Sequence, residues 1–143
     1  MVKTKSDSVI TAGCSFLIIL WLYTAGSKLI DIPMYKRGLY GQPFSKELKD
    51  FLFYGLPLSE FFLIILLYFK NTRKLGYLGS LTLLSLFTGY ILLILLGYYP
   101  KIPCSCGGIL TIMSWKVHLW FNTFCIGVCA WLTLQKQQKS INK

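Results

Sequence analysis

Four apolar runs, each about twenty residues long and divided by short polar connections, constrain this chain more than any other feature. They are expected over residues 8–30, 51–69, 75–99 and 117–134. A run of that length crosses a hydrocarbon core of about 30 Å as a helix. Backbone N–H and C=O groups cannot stay unpaired in hydrocarbon, which leaves helices as the form such runs take. Tight connections make neighbouring spans antiparallel. The expected fold is therefore all-α: a single transmembrane domain built as a four-helix up-down bundle, with both termini cytoplasmic.

Composition agrees with that reading. Hydrophobic residues make up 55% of the 143 and charged residues only 14%, against about 25% charged in soluble proteins. A formal net charge of +10 raises the question of nucleic acid. The basic residues, however, sit in clusters between apolar runs rather than on one face interleaved with aromatics, which argues against nucleic-acid binding. The partner they fit is the lipid bilayer.

Those clusters also set an orientation. Lys3, Lys5, Lys70, Arg73, Lys74, Lys136, Lys139 and Lys143 fall on the side of the termini, in three short segments. The opposite connections carry Lys36, Arg37, Lys46, Lys49, Lys101 and Lys116 over nearly twice the length. By the positive-inside rule the termini face the cytoplasm. The expected location is the bacterial inner membrane, with the turn between the last two spans on the periplasmic side.

The first run is longer than the apolar core of a signal peptide and lacks a clear small-x-small cleavage site, so it is read as a retained span. After it, residues 32–50 read as a polar connection punctuated by Pro33 and Pro43. A short interfacial helix is expected at about 44–50. Lys28 and Asp31 stand three residues apart, a spacing at which they share a helix face and can pair.

The turn between the last two spans carries Pro103-Cys104-Ser105-Cys106-Gly107-Gly108. A disulfide within Cys-x-Cys closes a very small ring that cannot relax to the preferred torsion near 90°. Strain of that kind makes the bond labile and suits it to exchange. Lys101 and Lys116 flank the pair and favour the thiolate. Two other readings stand beside redox use: a permanent disulfide that shapes the turn, and a metal site. The last is one ligand short even with His118, so no metal is expected.

Glu60 is the costliest residue in the apolar runs, since an acid near mid-span must pair or mark a path. Lys28, on the preceding span, is its obvious partner. Two roles fit Glu60: a lock that fixes helix register, or a carboxylate that handles protons or faces a quinone. His118 stands at the start of the last span, where an imidazole can trade protons with a thiol or a quinone. A quinone is accordingly the one cofactor considered. Cys14, Cys125 and Cys129 lie deep in apolar sequence and read as small packing residues, or as a second thiol station inside the bundle.

Three stretches taken in order, Tyr23-Thr24-Ala25-Gly26-Ser27-Lys28-Leu29, Gly55-Leu56-Pro57-Leu58-Ser59-Glu60 and the Cys-x-Cys turn, resemble the methylamine-utilisation MauE family, within the wider DoxX-like group of four-helix membrane proteins. The likeness runs over roughly residues 8–134. Gly107 and Gly108 follow the second cysteine directly, where the family pattern is closer to Cys-x-Cys-Phe-Gly. The resemblance implies a membrane component that works with an extracytoplasmic thioredoxin-like protein to make or reshuffle disulfides while exported proteins mature. On that reading Cys104 and Cys106 exchange, with His118, Glu60 and Lys28 in support. The alternative is a non-enzymatic subunit of an envelope assembly, secretion or transport complex, with the Cys-x-Cys as a structural disulfide.

Overall fold

The computed structural model describes residues 5–99 and 114–141. Every regular element in them is helical: α1 (Lys5–Ile30), α2 (Ile32–Tyr40), α3 (Lys46–Tyr68), α4 (Arg73–Leu95) and α5 (Trp115–Ile141). Four stretches are long and apolar enough to cross a bilayer: Ser8–Ile30, Lys46–Tyr68, Arg73–Leu95 and Trp115–Gln135. At 1.5 Å per residue, twenty-three residues rise about 35 Å. The spans close into a ring in which α1 packs on α3 and α5, and α4 packs on the same two from the other side. The short α2 lies against α1 and α3.

Where the polar and apolar residues go identifies the solvent. Phe51, Leu58, Phe62, Leu75, Leu86, Trp120 and Phe124 are exposed on the outside of the ring, while Lys28, Glu60, Ser80, His118 and Asn122 are buried inside it. Water would select the reverse. Hydrocarbon selects this arrangement, because polar side chains at membrane depth turn to the bundle interior.

The connection after the first span differs from its sequence reading. Residues 32–40 are not irregular but fold as α2, and no separate helix spans 44–50. Asp31 caps α2 by accepting from the Met34 backbone N–H at 3.0 Å, and Pro33 sits in the first turn, where a missing N–H costs nothing. Asp31 is thereby engaged by its own backbone, and Lys28 pairs elsewhere. Ser45 caps the next helix by accepting from Leu48 N–H, so residues from Lys46 onward are the first turns of α3. The third span likewise stops at Leu95, short of the expected residue 99. Gly97 takes a positive φ of 83°, and Tyr99 packs outside the helix on Phe44 and Tyr90.

The α3–α4 pair is drawn tight by small residues. A Cβ on Gly79 would stand 2.6 Å from Leu63 Cδ2, and one on Gly76 would stand 2.8 Å from Leu67 Cδ2. Three residues apart, these two glycines share one face of α4 and let Leu63 and Leu67 of α3 seat against its backbone. The basic turn between the helices closes the end of α3. Thr72 Oγ1 donates to Leu66 O at 2.9 Å and Arg73 Nε to Leu67 O at 2.9 Å, satisfying carbonyls that have no helical donor.

Candidate functional site

α1 ends with Lys28 in its last turn, and α3 carries Glu60 past its midpoint. Running antiparallel, the two helices bring these residues level. Lys28 Nζ donates to Glu60 Oε1 at 2.7 Å and Oε2 at 3.0 Å, and to the Thr24 carbonyl at 3.1 Å. The three N–H groups of the ammonium each have an acceptor. Lys28 is 2% exposed and Glu60 1%, so the pair is fully withdrawn from solvent. A lone basic or acidic side chain at the centre of a span costs about 2.5–3.5 kcal/mol on insertion scales, and each member here relieves the other.

α2 shields the pair from one side. The Tyr35 ring lies 5.9 Å from Lys28 Nζ, in reach of a cation–π contact. Its hydroxyl donates to Leu52 O at 3.0 Å and Phe53 O at 3.2 Å, and its ring stacks on Phe53 with centroids 5.2 Å apart. The Phe53 carbonyl needs an outside donor for a covalent reason. Pro57 has no N–H to give to the residue four places back, which is Phe53. Tyr35 repairs the gap that proline opens and holds α2 over the ion pair.

α5 contributes the third side. His118 and Asn122, four residues apart, occupy one face of its first turns and are 2% and 5% exposed. With Thr24, Lys28, Glu60, Leu84 and Phe87 they line a cavity of about 20 Å³. His118 Nδ1 is buried and has no hydrogen-bond partner among the described residues. On the other side of Phe87 lies a larger cavity of about 260 Å³, walled by Leu56, Leu86, Phe44, Tyr90 and Trp115. Its polar rim is the Tyr90 hydroxyl, which donates to Gln42 Oε1. These walls suit an apolar ring more than a charged ligand.

The far end of the ring holds the remaining cysteines. Cys14, Cys125 and Cys129 are free thiols, all at most 1% exposed, in one core with Leu17, Leu67, Tyr77 and Leu132. Cys14 Sγ donates to the Leu67 carbonyl at 3.5 Å. Tyr77 Oη makes no hydrogen bond to nitrogen or oxygen among the described residues, and the Cys14 thiol is its polar neighbour. No group of three or more His, Cys, Asp or Glu side chains among the described residues is placed to hold a metal.

Lys28, Glu60 and His118 thus converge on one cavity. Cys104 and Cys106 lie outside the described residues; Tyr99, which follows the end of α4, and Ser114, which precedes the start of α5, bracket them. Sequence reasoning passed over Asn122, Thr24 and Tyr35. For Asn122 a signal was present: the spacing that puts Cys125 and Cys129 on one face continues back through Asn122 to His118.

Four apolar helices around a buried lysine–glutamate pair, apolar outside and polar within, define a small multi-pass membrane protein. The particular family follows from the chain as a whole. The profile described as methylamine utilisation protein MauE matches residues 6–135, and the chain belongs to the MauE family. Searches of the curated proteins and of the solved structures returned no match.

Proposed function

We propose that this protein is the membrane subunit of a thiol–disulfide relay, in which Cys104 and Cys106 exchange with a thioredoxin-like protein on the periplasmic side of the bacterial inner membrane. The observation that carries the reading is the convergence of Lys28, Glu60 and His118 beneath the end of the bundle from which the Cys-x-Cys segment departs and to which it returns. Membership of the MauE family supports a redox-associated membrane role.

The exchange balances without a further reagent. A thiolate of the Cys104/Cys106 pair attacks the partner's disulfide, forming a mixed disulfide and releasing one partner thiolate. The second thiolate of the pair then attacks its neighbour's sulfur, leaving a Cys104–Cys106 disulfide and a reduced partner. Two electrons move to the partner, and two protons follow from the thiols. The same steps run in reverse when the partner arrives reduced. His118 is the titratable group of the bundle interior that belongs to the span following the turn, and it serves as the proton acceptor nearest in the chain.

Trapping tests this. With Cys106→Ala the first attack by Cys104 cannot be resolved, and an adduct with a periplasmic thioredoxin-like protein is expected on non-reducing gels of intact cells. No adduct from either single variant, with full function in the double alanine variant, would reduce the Cys-x-Cys to a shaping element of an envelope complex. An adduct with a cytoplasmic protein would reverse the orientation.

A further inference from the structure

We infer that the cavity between Lys28, Glu60, His118 and Asn122 is a water site, and that one water held there joins the imidazole of α5 to the ion pair of α1 and α3. The inference goes beyond thiol exchange and stands without it, because it rests on the bundle interior alone.

Three observations point to water rather than to a dry void or an organic ligand. First, His118 is 2% exposed, lines the cavity and has a ring nitrogen, Nδ1, with no partner among the described residues. Leaving a buried polar atom unpaired costs about 1–3 kcal/mol, and a bridging water removes that cost. Second, the size fits. The cavity measures about 20 Å³, and one water needs about 10–15 Å³. A quinone ring or a lipid tail does not fit. Third, the walls offer the two to four polar partners that a buried water requires: the Glu60 carboxylate, the His118 imidazole and the Asn122 carboxamide, from two different helices.

The charged and titratable groups around the site are Lys28 on α1, Tyr35 on α2, Glu60 on α3 and His118 on α5; α4 presents only Leu84 and Phe87. A water among them makes a proton route. When the imidazole is doubly protonated, its Nδ1–H passes to the water oxygen while the water passes one of its own protons to a Glu60 oxygen. The imidazole becomes neutral and the carboxylate becomes a carboxylic acid. Lys28 keeps its charge, so the net charge of the cavity does not change. A proton then crosses from α5 to α3 without the bundle opening.

The chain contains a single histidine, which makes the test direct. The full-length protein with ring-¹⁵N histidine, in lipid nanodiscs, gives one pair of ring-nitrogen signals. The expected result is an Nδ1 shift characteristic of a hydrogen-bonded nitrogen, with a cross-peak to a proton that exchanges with bulk water. Asn122→Leu and Leu84→Phe each fill the cavity, from α5 and from α4, and each should abolish the water cross-peak. Cys125→Ala, one turn beyond, should leave it in place. A wild-type protein with no water cross-peak, or with an Nδ1 cross-peak to a protein proton instead, overturns the inference. Persistence of the cross-peak in both folded cavity-filling variants overturns it as well. The wild-type spectrum decides even where a variant does not fold.

Discussion

The two ends of the bundle are built on the same helices yet differ in chemistry. Along the inner seam of α5, residues 118, 122, 125, 129 and 132 repeat at intervals of four and three, and they read His, Asn, Cys, Cys, Leu. Along α1, the buried Cys14, Leu17, Trp21 and Lys28 run the other way. Antiparallel packing sets Lys28 level with His118 and Cys14 level with Cys129. One end is consequently ionic, hydrogen-bonded and hollow; the other is a filled core of thiols and leucines. Between them Trp21 Nε1 donates to Ser80 Oγ at 2.9 Å, tying α1 to α4 across the ring. What differs is how each end is held. The polar end depends on reciprocity between partners, whereas the thiol end depends on volume.

The sharpest way to break this contrast is to remove one charge. Lys28→Met or Glu60→Met leaves the other residue buried and alone, and should cost about 3–5 kcal/mol in reversible unfolding in mixed micelles. The Lys28→Met/Glu60→Met double variant should recover most of that loss, since a buried ion pair is often replaced by apolar groups at little cost. If the double variant is stable but thiol trapping by Cys104 is lost, the pair serves chemistry; if trapping is kept, it serves register.

Volume is tested at the close approach of α3 and α4. Gly76→Ala drives a methyl group to 2.8 Å from Leu67 Cδ2, 2.9 Å from its Cγ and 3.1 Å from its backbone nitrogen, and overpacking of this kind should destabilise by about 1–3 kcal/mol. The polar end should be untouched, with the His118 ring-nitrogen signals unchanged.

Smaller effects follow. Tyr35→Phe keeps the stacking on Phe53 and loses only the donor to the Leu52 and Phe53 carbonyls, for about 1 kcal/mol by the same unfolding assay. At the other end, Cys14→Ala, Cys125→Ala and Cys129→Ala should each cost about 1 kcal/mol or less. Their triple replacement should leave partner trapping by Cys104 intact. Loss of trapping in a folded triple variant would make the inner thiols a second station and erase the distinction between the two ends.

Much of this was legible in the sequence. Run length and hydrophobicity marked four spans, and a single acid and a single base deep in successive antiparallel spans marked each other as partners. The limits of helices were less legible, because caps decide them. Asp31 and Ser45 each start a helix by a side-chain hydrogen bond that hydropathy does not register, so residues 32–40 read as a connection and Lys46–Asp50 as a separate element. Tyr35 was hidden for a similar reason. Its role arises only once Pro57 frees a carbonyl on a different helix, and no pattern local to α2 contains that information. The inner seam of α5 was visible in spacing, but its meaning required knowing which end of α1 it meets.

The Lys28–Glu60 pair also bears on how the chain enters the membrane. The two residues stand 32 positions apart, on successive spans of which α1 is made before α3. Before α3 has left the ribosome Lys28 lacks its partner there, and its position near the end of α1 allows it to reach toward the interface. Glu60 has no such refuge, since it lies well inside α3. Insertion of α3 is then easier beside an α1 already in place, which favours the two spans settling as a hairpin. The ion pair thereby couples the placement of one span to the placement of the other: a chain in which α1 is misplaced leaves α3 carrying an unmatched charge.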